Sequence, residues 1–358
     1  MSDTMMMAQV LHAVGDMRYE PVPRPDPGPG QVLVHVGFCG VCGSDLPRTF
    51  VKGTYRFPTI IGHEFAGTVA DCGDGVDDLA PGDRVVVFPL LWCGLCSACE
   101  QGRYAQCLNY DYLGSRSDGG FADYVVAPRR NLLVVPDNVP LEIAAMTEPA
   151  AVALHAVRKG GELAGRTAAV FGAGPIGVMV AQWAQALGAA QVAIFDIVPE
   201  KLDLARKLGF TLAYDSRQVD PVKTVATLTG GEGAYLCVEG AGVPPTTLQA
   251  LSAARRGGRV VLLGNPAADV TLPAPLISQL LRREVTIHGT WNSDYSAAGN
   301  DDDWRAVLGA MSSGLLRLQP LITHRLPLSE AFAALNMMKD QRTFYSKVLI
   351  HPEQGTNP

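Results

Sequence analysis

The chain of 358 residues is 47% hydrophobic and 18% charged, with a formal net charge of −6, which supports complete folding around more than one core and excludes a disordered protein. The charge balance leaves no basic stripe for nucleic acid, and no apolar run approaches the roughly 18 residues of a membrane span. The Met-rich start "MSDTMMMAQV" lacks a basic segment followed by an apolar one, so a cytoplasmic protein is expected, in a reducing compartment where clustered cysteines favour metal over disulfides.

From about Gln31 to Val87 short strands are predicted in "QVLVHVGFCGVC", "EFAGTVADCG" and "DRVVVFP". Their punctuation by Gly, Pro and Asp points to a compact all-β barrel or sandwich. This stretch holds Cys42, in "CGVCGSDLPRTF", and His63, in "IIGHEFAGTV". A thiolate and an imidazole from separate segments, completed by a carboxylate, would suit a catalytic zinc with one open position. Cys39 forms a C-G-V-C pair with Cys42 but is read as a buried strand residue.

Next comes "WCGLCSACEQGRYAQC", in which Cys93, Cys96 and Cys99 are three apart and Cys107 follows eight further on. Two-residue gaps are short for unstrained disulfides but suit a loop that folds four sulfurs around one ion. A closed tetrahedral zinc site is expected. Further β segments, "GGFADYVVAP" and "NLLVVPDNVP", lead to "EPAAVALHAVRKGGEL", whose helical periodicity ends at Gly160 and Gly161.

Buried strands then alternate with helices: "TAAVFGAG", "PIGVMVAQWAQALGA", "QVAIFDI", "PEKLDLARKLG", "AYLCVEG", "PTTLQALSAARRGG" and "RVVLLG". That alternation indicates a parallel sheet covered on both faces. From about Trp291 the β-like pattern returns in "SKVLIHP", so the α/β domain is read as an insertion. Gly172, Gly174 and Gly177, with Pro175 and Ile176 between them, follow a strand and open a helix in the G-x-G-x-x-G spacing of a dinucleotide fingerprint. Asp196, nineteen residues past Gly177 at the end of the next strand, can hydrogen-bond an adenosine ribose and would repel a 2′-phosphate, which favours NAD over NADP. Lys201 could reach the same ribose.

Taken together, "CGSD", "GHEFAG", the four-cysteine loop, "TEPAAVALHA" and "GAGPIG" resemble the zinc-dependent medium-chain dehydrogenases/reductases, and among them the polyol dehydrogenases, over nearly the whole chain. The resemblance implies an α/β fold class: a GroES-like β-barrel catalytic domain (1–152 and 292–358, with a zinc lobe at about 90–110) and an inserted Rossmann domain with a doubly wound parallel sheet (153–291). It implies two zinc ions per chain. Cys42 and His63 would hold the catalytic one with Glu148 or Glu64, which the sequence does not rank. Cys93, Cys96, Cys99 and Cys107 would hold a noncatalytic one. Ser44 would take the alcohol proton, and Asp45 would orient the ligand histidine. Pro47 stands where many relatives have a histidine, so the proton route beyond Ser44 is open, with a ribose hydroxyl and ordered water as the expected substitute.

The implied reaction is the reversible, NAD-linked oxidation of a secondary alcohol to a ketone. The expected substrate is a polyol or polyol phosphate, to which Arg48 or Arg116 could offer a guanidinium; Arg116 lies in "GSRSDGG", read as a mobile loop. A free cyclitol or sugar-like secondary metabolite is the alternative substrate. A noncatalytic nucleotide-binding protein of the same fold is the alternative class, disfavoured because Cys42, His63 and Glu148 are all present. A homodimer or homotetramer is expected to pair through the cofactor domain, with "RVVLLG" supplying a sheet edge.

Overall fold

The structure is a computed structural model that describes residues 4–352; the outermost residues of the expected first domain, 1–3 and 353–358, lie outside the described residues, and with them the start of the Met-rich segment. Two compact units are present: Met1–Glu148 with Asp294–Ser313 and Ile322–Pro358, and Pro149–Ser293 with Gly314–Leu321. Among the described residues no helix is long and apolar enough to cross a membrane.

In the first unit the main sheet runs Leu132–Val134, Arg84–Val87, Glu64–Cys72, Gln31–Gly40, Lys347–His351, Ile322–Pro327, and Tyr124–Pro128 also pairs with Gln31–Gly40. Val32, Val34 and Val36 alternate into a core shared with Phe65, Val69 and Val348, as the two-residue period of a strand requires. Register then builds the site. Gly40 faces Glu64 across one ladder and Leu349 across the other, so the last strand carries Lys347 to Glu64. A Cβ added at Gly40 would lie 2.2 Å from Glu64 Oε2 and 2.9 Å from Lys347 Cε. Only glycine leaves room for that pair.

The second unit is a six-stranded parallel sheet of β1 (Thr167–Phe171), β2 (Gln191–Asp196), β3 (Ala213–Asp215), β4 (Ala234–Glu239), β5 (Ala254–Leu262) and β6 (Thr286–Gly289). The strand order is 3-2-1-4-5-6, the doubly wound arrangement whose switch point lies between β1 and β4. Ala169, Phe171, Ala193, Phe195, Cys237 and Val260 share its core. One expectation is corrected: "RVVLLG" lies in β5, which is hydrogen-bonded to β4 on one side and β6 on the other. The edge is β6, whose four residues carry one aliphatic side chain, Ile287, and so give no strand pattern in the sequence.

Candidate active site

Cys42 follows the Gln31–Gly40 strand, while His63 and Glu64 sit where Glu64–Cys72 begins. Their donor atoms lie within 4.8 Å of one another. His63 Nδ1 faces Asp45 Oδ1 at 3.4 Å, longer than a well-formed hydrogen bond, which leaves the other ring nitrogen as the donor toward a metal. Asp45 is fully buried, and its Oδ2 accepts the Cys42 N–H at 3.0 Å. Burial alone would raise the Asp45 carboxyl, but His63 and Arg48 hold it below its ordinary value. One carboxylate therefore steers both Cys42 and His63. Ser44 Oγ donates to Cys42 Sγ at 3.2 Å and accepts from Arg48 Nη1 at 2.8 Å.

The two candidate carboxylates have different partners. Glu64 is ion-paired with Lys347, both side chains being at most 4% exposed. Glu148, in the first turn of the Thr147–Lys159 helix, stands outside the 4.8 Å group and is held by Tyr112, whose hydroxyl donates to its Oε1 at 3.3 Å. Burial pushes the Glu148 carboxyl up to about 7, against the pull of His63. A nearby cation would keep it ionised. Neither Tyr112 nor Lys347 is singled out by the sequence. Tyr112 is one of two tyrosines in a turn-rich stretch, although its ring packs edge-on to His63 at 5.9 Å. Lys347 did leave a signal, as a lysine opening a strand whose next three residues are all buried aliphatics.

The four-cysteine lobe also gathers its sulfurs within 4.8 Å. Cys96 Sγ lies 3.5 Å from Cys99 Sγ and 3.9 Å from Cys107 Sγ, and Cys93 Sγ lies 3.9 Å from Cys99 Sγ. These separations far exceed a disulfide bond and match the edge of about 3.8 Å of a tetrahedron with 2.3 Å zinc–sulfur bonds. Backbone N–H groups of Leu108 and Cys99 lower the Cys96 thiol to about 6, while burial pushes that of Cys99 up to about 12; a bound cation would hold all four as thiolates. Trp92 fastens the lobe, stacked on Tyr104 at 4.2 Å and covered by the Arg130 guanidinium at 4.2 Å.

In the second unit Gly172 adopts φ +109° at the end of β1. A Cβ at Gly177 would lie 1.9 Å from Gly172 O, so the helix can pack this closely only with glycine there. Over Gly174 an added Cβ would meet nothing within 4 Å. Gly174 also caps the N-terminus of the Pro175–Ala186 helix with no side-chain hydrogen bond. Open space above uncapped amides suits a pyrophosphate. Ile176 stands between Pro175 and Gly177 in the first turn. Asp196 ends β2 and binds the loop itself: Oδ2 accepts the Ala173 N–H at 2.7 Å, and Oδ1 accepts from Ile197 and Val198. Lys201 lies in the first turn of the next helix, Pro199–Lys207.

Arg116 is held by more neighbours than the Gly and Ser content of its loop suggests. Its guanidinium lies 4.2 Å from the Tyr55 ring centre and 4.1 Å from that of Tyr110, and Nη1 donates to Tyr110 O. Arg56 donates to Arg116 O and pairs with Asp118, which also accepts the Ile60 N–H. The "GSRSDGG" loop is thus fastened on both sides. A row of rings joins it to the metal donors, since Tyr110 and Tyr112 are 6.4 Å apart and Tyr112 packs on His63.

Residues 28–137 match the alcohol dehydrogenase GroES-like domain, and residues 175–313 match the zinc-binding dehydrogenase family model. The chain is 37% identical over 322 residues to the galactitol 1-phosphate 5-dehydrogenase of Escherichia coli (strain K12), covering 90% of this chain and 92% of that one. A crystal structure of galactitol-1-phosphate dehydrogenase from Escherichia coli superposes with a TM-score of 0.91 at 35% identity, over 97% of this chain and all of the other. Sorbitol dehydrogenase of Bacillus subtilis (strain 168) is 31% identical over 356 residues, 98% of each chain. A zinc-binding dehydrogenase of Sinorhizobium meliloti 1021 bound to NADP superposes with a TM-score of 0.91 at 32% identity, over 98% of this chain and all of the other.

Proposed function

The chain belongs to the zinc-dependent medium-chain dehydrogenases/reductases, and from that premise we propose that it oxidises a secondary alcohol of a polyol or polyol phosphate to the ketone, reversibly, with NAD. The observation that carries this reading is the cluster of Cys42, His63 and Glu64 donor atoms within 4.8 Å of one another, with the Ser44 hydroxyl on Cys42 Sγ. Zinc, when bound, supplies a Lewis acid that makes the substrate hydroxyl acidic, and NAD supplies the hydride acceptor. Cys42, His63 and Glu148 hold the metal. Glu64 lies within the 4.8 Å donor group and Glu148 outside it, but Glu148 is preferred because giving the Glu64 carboxylate to the metal would draw it from its buried ion pair with Lys347. Asp45 orients His63, and Ser44 relays the departing proton. Cys93, Cys96, Cys99 and Cys107 hold a second zinc in which four sulfurs leave no open position.

Gly172, Gly174, Pro175, Ile176 and Gly177 take the pyrophosphate, and Asp196 takes the ribose, with Lys201 near it. For the substrate, Arg116 is the preferred phosphate partner. Its sandwich between two tyrosines fixes the guanidinium plane, while the N–H groups along its edge can still bind an anion. A free polyol is the second reading, supported by the likeness to sorbitol dehydrogenase. The test compares free and phosphorylated polyols with the natural enzyme and Arg116→Ala. A rise in KM confined to the phosphorylated substrate supports the phosphate reading. Equal or better turnover of free polyols by the natural enzyme removes it.

A further inference from the structure

Arg48 begins a widened turn of five residues, Arg48–Lys52, directly after the short helix Asp45–Pro47. Its side chain is 25% exposed and turns back over that helix, with Nη1 donating to Ser44 Oγ at 2.8 Å and to Asp45 Oδ1 at 3.1 Å. Asp45 Oδ1 is also the atom that faces His63. One guanidinium nitrogen therefore joins the hydroxyl expected to take the substrate proton to the carboxylate that orients the ligand histidine.

We propose that Arg48 is a positioning residue for proton transfer, fixing the direction in which the Ser44 hydroxyl can accept. A hydroxyl oxygen has two acceptor directions and one O–H. Here the O–H points to Cys42 Sγ, one acceptor direction is filled by Arg48, and one remains for the substrate hydroxyl. The O–H turns from Cys42 Sγ toward solvent, which reaches this partly exposed residue, and releases its proton there as the substrate proton arrives, so the oxygen passes through a partly negative state and ends as a neutral hydroxyl. The guanidinium does not receive that proton, because an arginine already carries its full complement of protons at any working pH. Its fixed positive charge favours the partly negative oxygen formed during the exchange. Pro47 offers no exchangeable proton, so release from Ser44 goes to solvent.

This inference rests on the dehydrogenase reading, and its test separates the two. Arg48→Met and Arg48→Lys are compared with the natural enzyme on whichever secondary alcohol the latter oxidises fastest. Arg48→Met should lower kcat about ten- to hundredfold with little change in KM, and should move the rise of kcat with pH to higher pH. Arg48→Lys should recover part of both. A crystal structure of Arg48→Met should show the Ser44 hydroxyl rotated away, with the natural zinc content retained. A rise in KM confined to phosphorylated substrates at unchanged kcat would overturn the proposal and make Arg48 a phosphate ligand. Loss of zinc in Arg48→Met, with an equal fall in activity at every pH, would overturn it in favour of a structural role. If the natural enzyme oxidises no alcohol, the dehydrogenase reading falls, and the crystal structure alone decides: a Ser44 hydroxyl unmoved in Arg48→Met overturns the proposal.

Discussion

Lys347 and Glu64 form a buried ion pair beside Cys42 and His63, brought together by the register of the final strand against Gln31–Gly40. Removing one member of such a pair leaves a charge in low dielectric. Lys347→Met should cost about 3 kcal/mol in denaturant unfolding. The double variant Lys347→Met with Glu64→Gln should recover most of the loss, because the stranded charge is gone. A double variant as unstable as the sum of the singles would show that the two residues act independently.

Two donor sets of different chemistry call for two zinc ions per chain. Elemental analysis of protein purified without chelator should find both. Cys42→Ser should lose one zinc and the activity while keeping the fold. Cys96→Ser should lose the other and unfold at lower temperature, since a closed thiolate site contributes to folding. Protein with one zinc or none would reject this division.

Asp196 should make NAD the better cofactor by at least about tenfold in kcat/KM, or roughly 1.4 kcal/mol. Because the same carboxylate holds the Ala173 amide, Asp196→Ala should also weaken NAD binding while narrowing the preference. Steady-state kinetics with both cofactors decides it. Equal efficiency in the natural enzyme would mean that the carboxylate does not face the ribose.

The edge strand β6 has open hydrogen-bonding groups on one side, and Ile287, Leu281 and Trp291 are 44, 73 and 57% exposed near it. A homo-oligomer paired through this edge is expected. Light scattering at micromolar concentration should give a multiple of the chain mass, and Ile287→Glu should reduce it. A monomeric natural protein would contradict the pairing.

The sequence revealed most where chemistry imposes spacing. The glycines of "GAGPIG", the four cysteines and the alternation of "QVAIFDI" with "PEKLDLARKLG" each carry their own physical reason, and β1, β2, β4 and β5 are legible in that alternation, whereas β3 (Ala213–Asp215) and the helices Pro221–Leu228 and Ala274–Arg283 are not. What it could not show depends on register and on contacts remote in the chain. Glu64 and Glu148 are alike in the sequence, and only the remote partners Lys347 and Tyr112, which hold one each, tell them apart. The "GSRSDGG" loop reads as mobile from Gly and Ser content, yet Tyr55 and Tyr110 grip its arginine from segments that local composition cannot link to it. Strand β6 was hidden because four mostly exposed residues make no periodic pattern.

The most direct test of zinc-dependent, NAD-linked polyol oxidation is the initial rate of NADH formation from free and phosphorylated polyols, measured on protein as purified, after chelator treatment and after zinc is restored. The expected result is NADH formation with at least one polyol or polyol phosphate, lost on chelation and regained with zinc, and absent throughout in Cys42→Ser. No NADH formation from any of these substrates, or a rate unchanged by chelation and by Cys42→Ser, would contradict it.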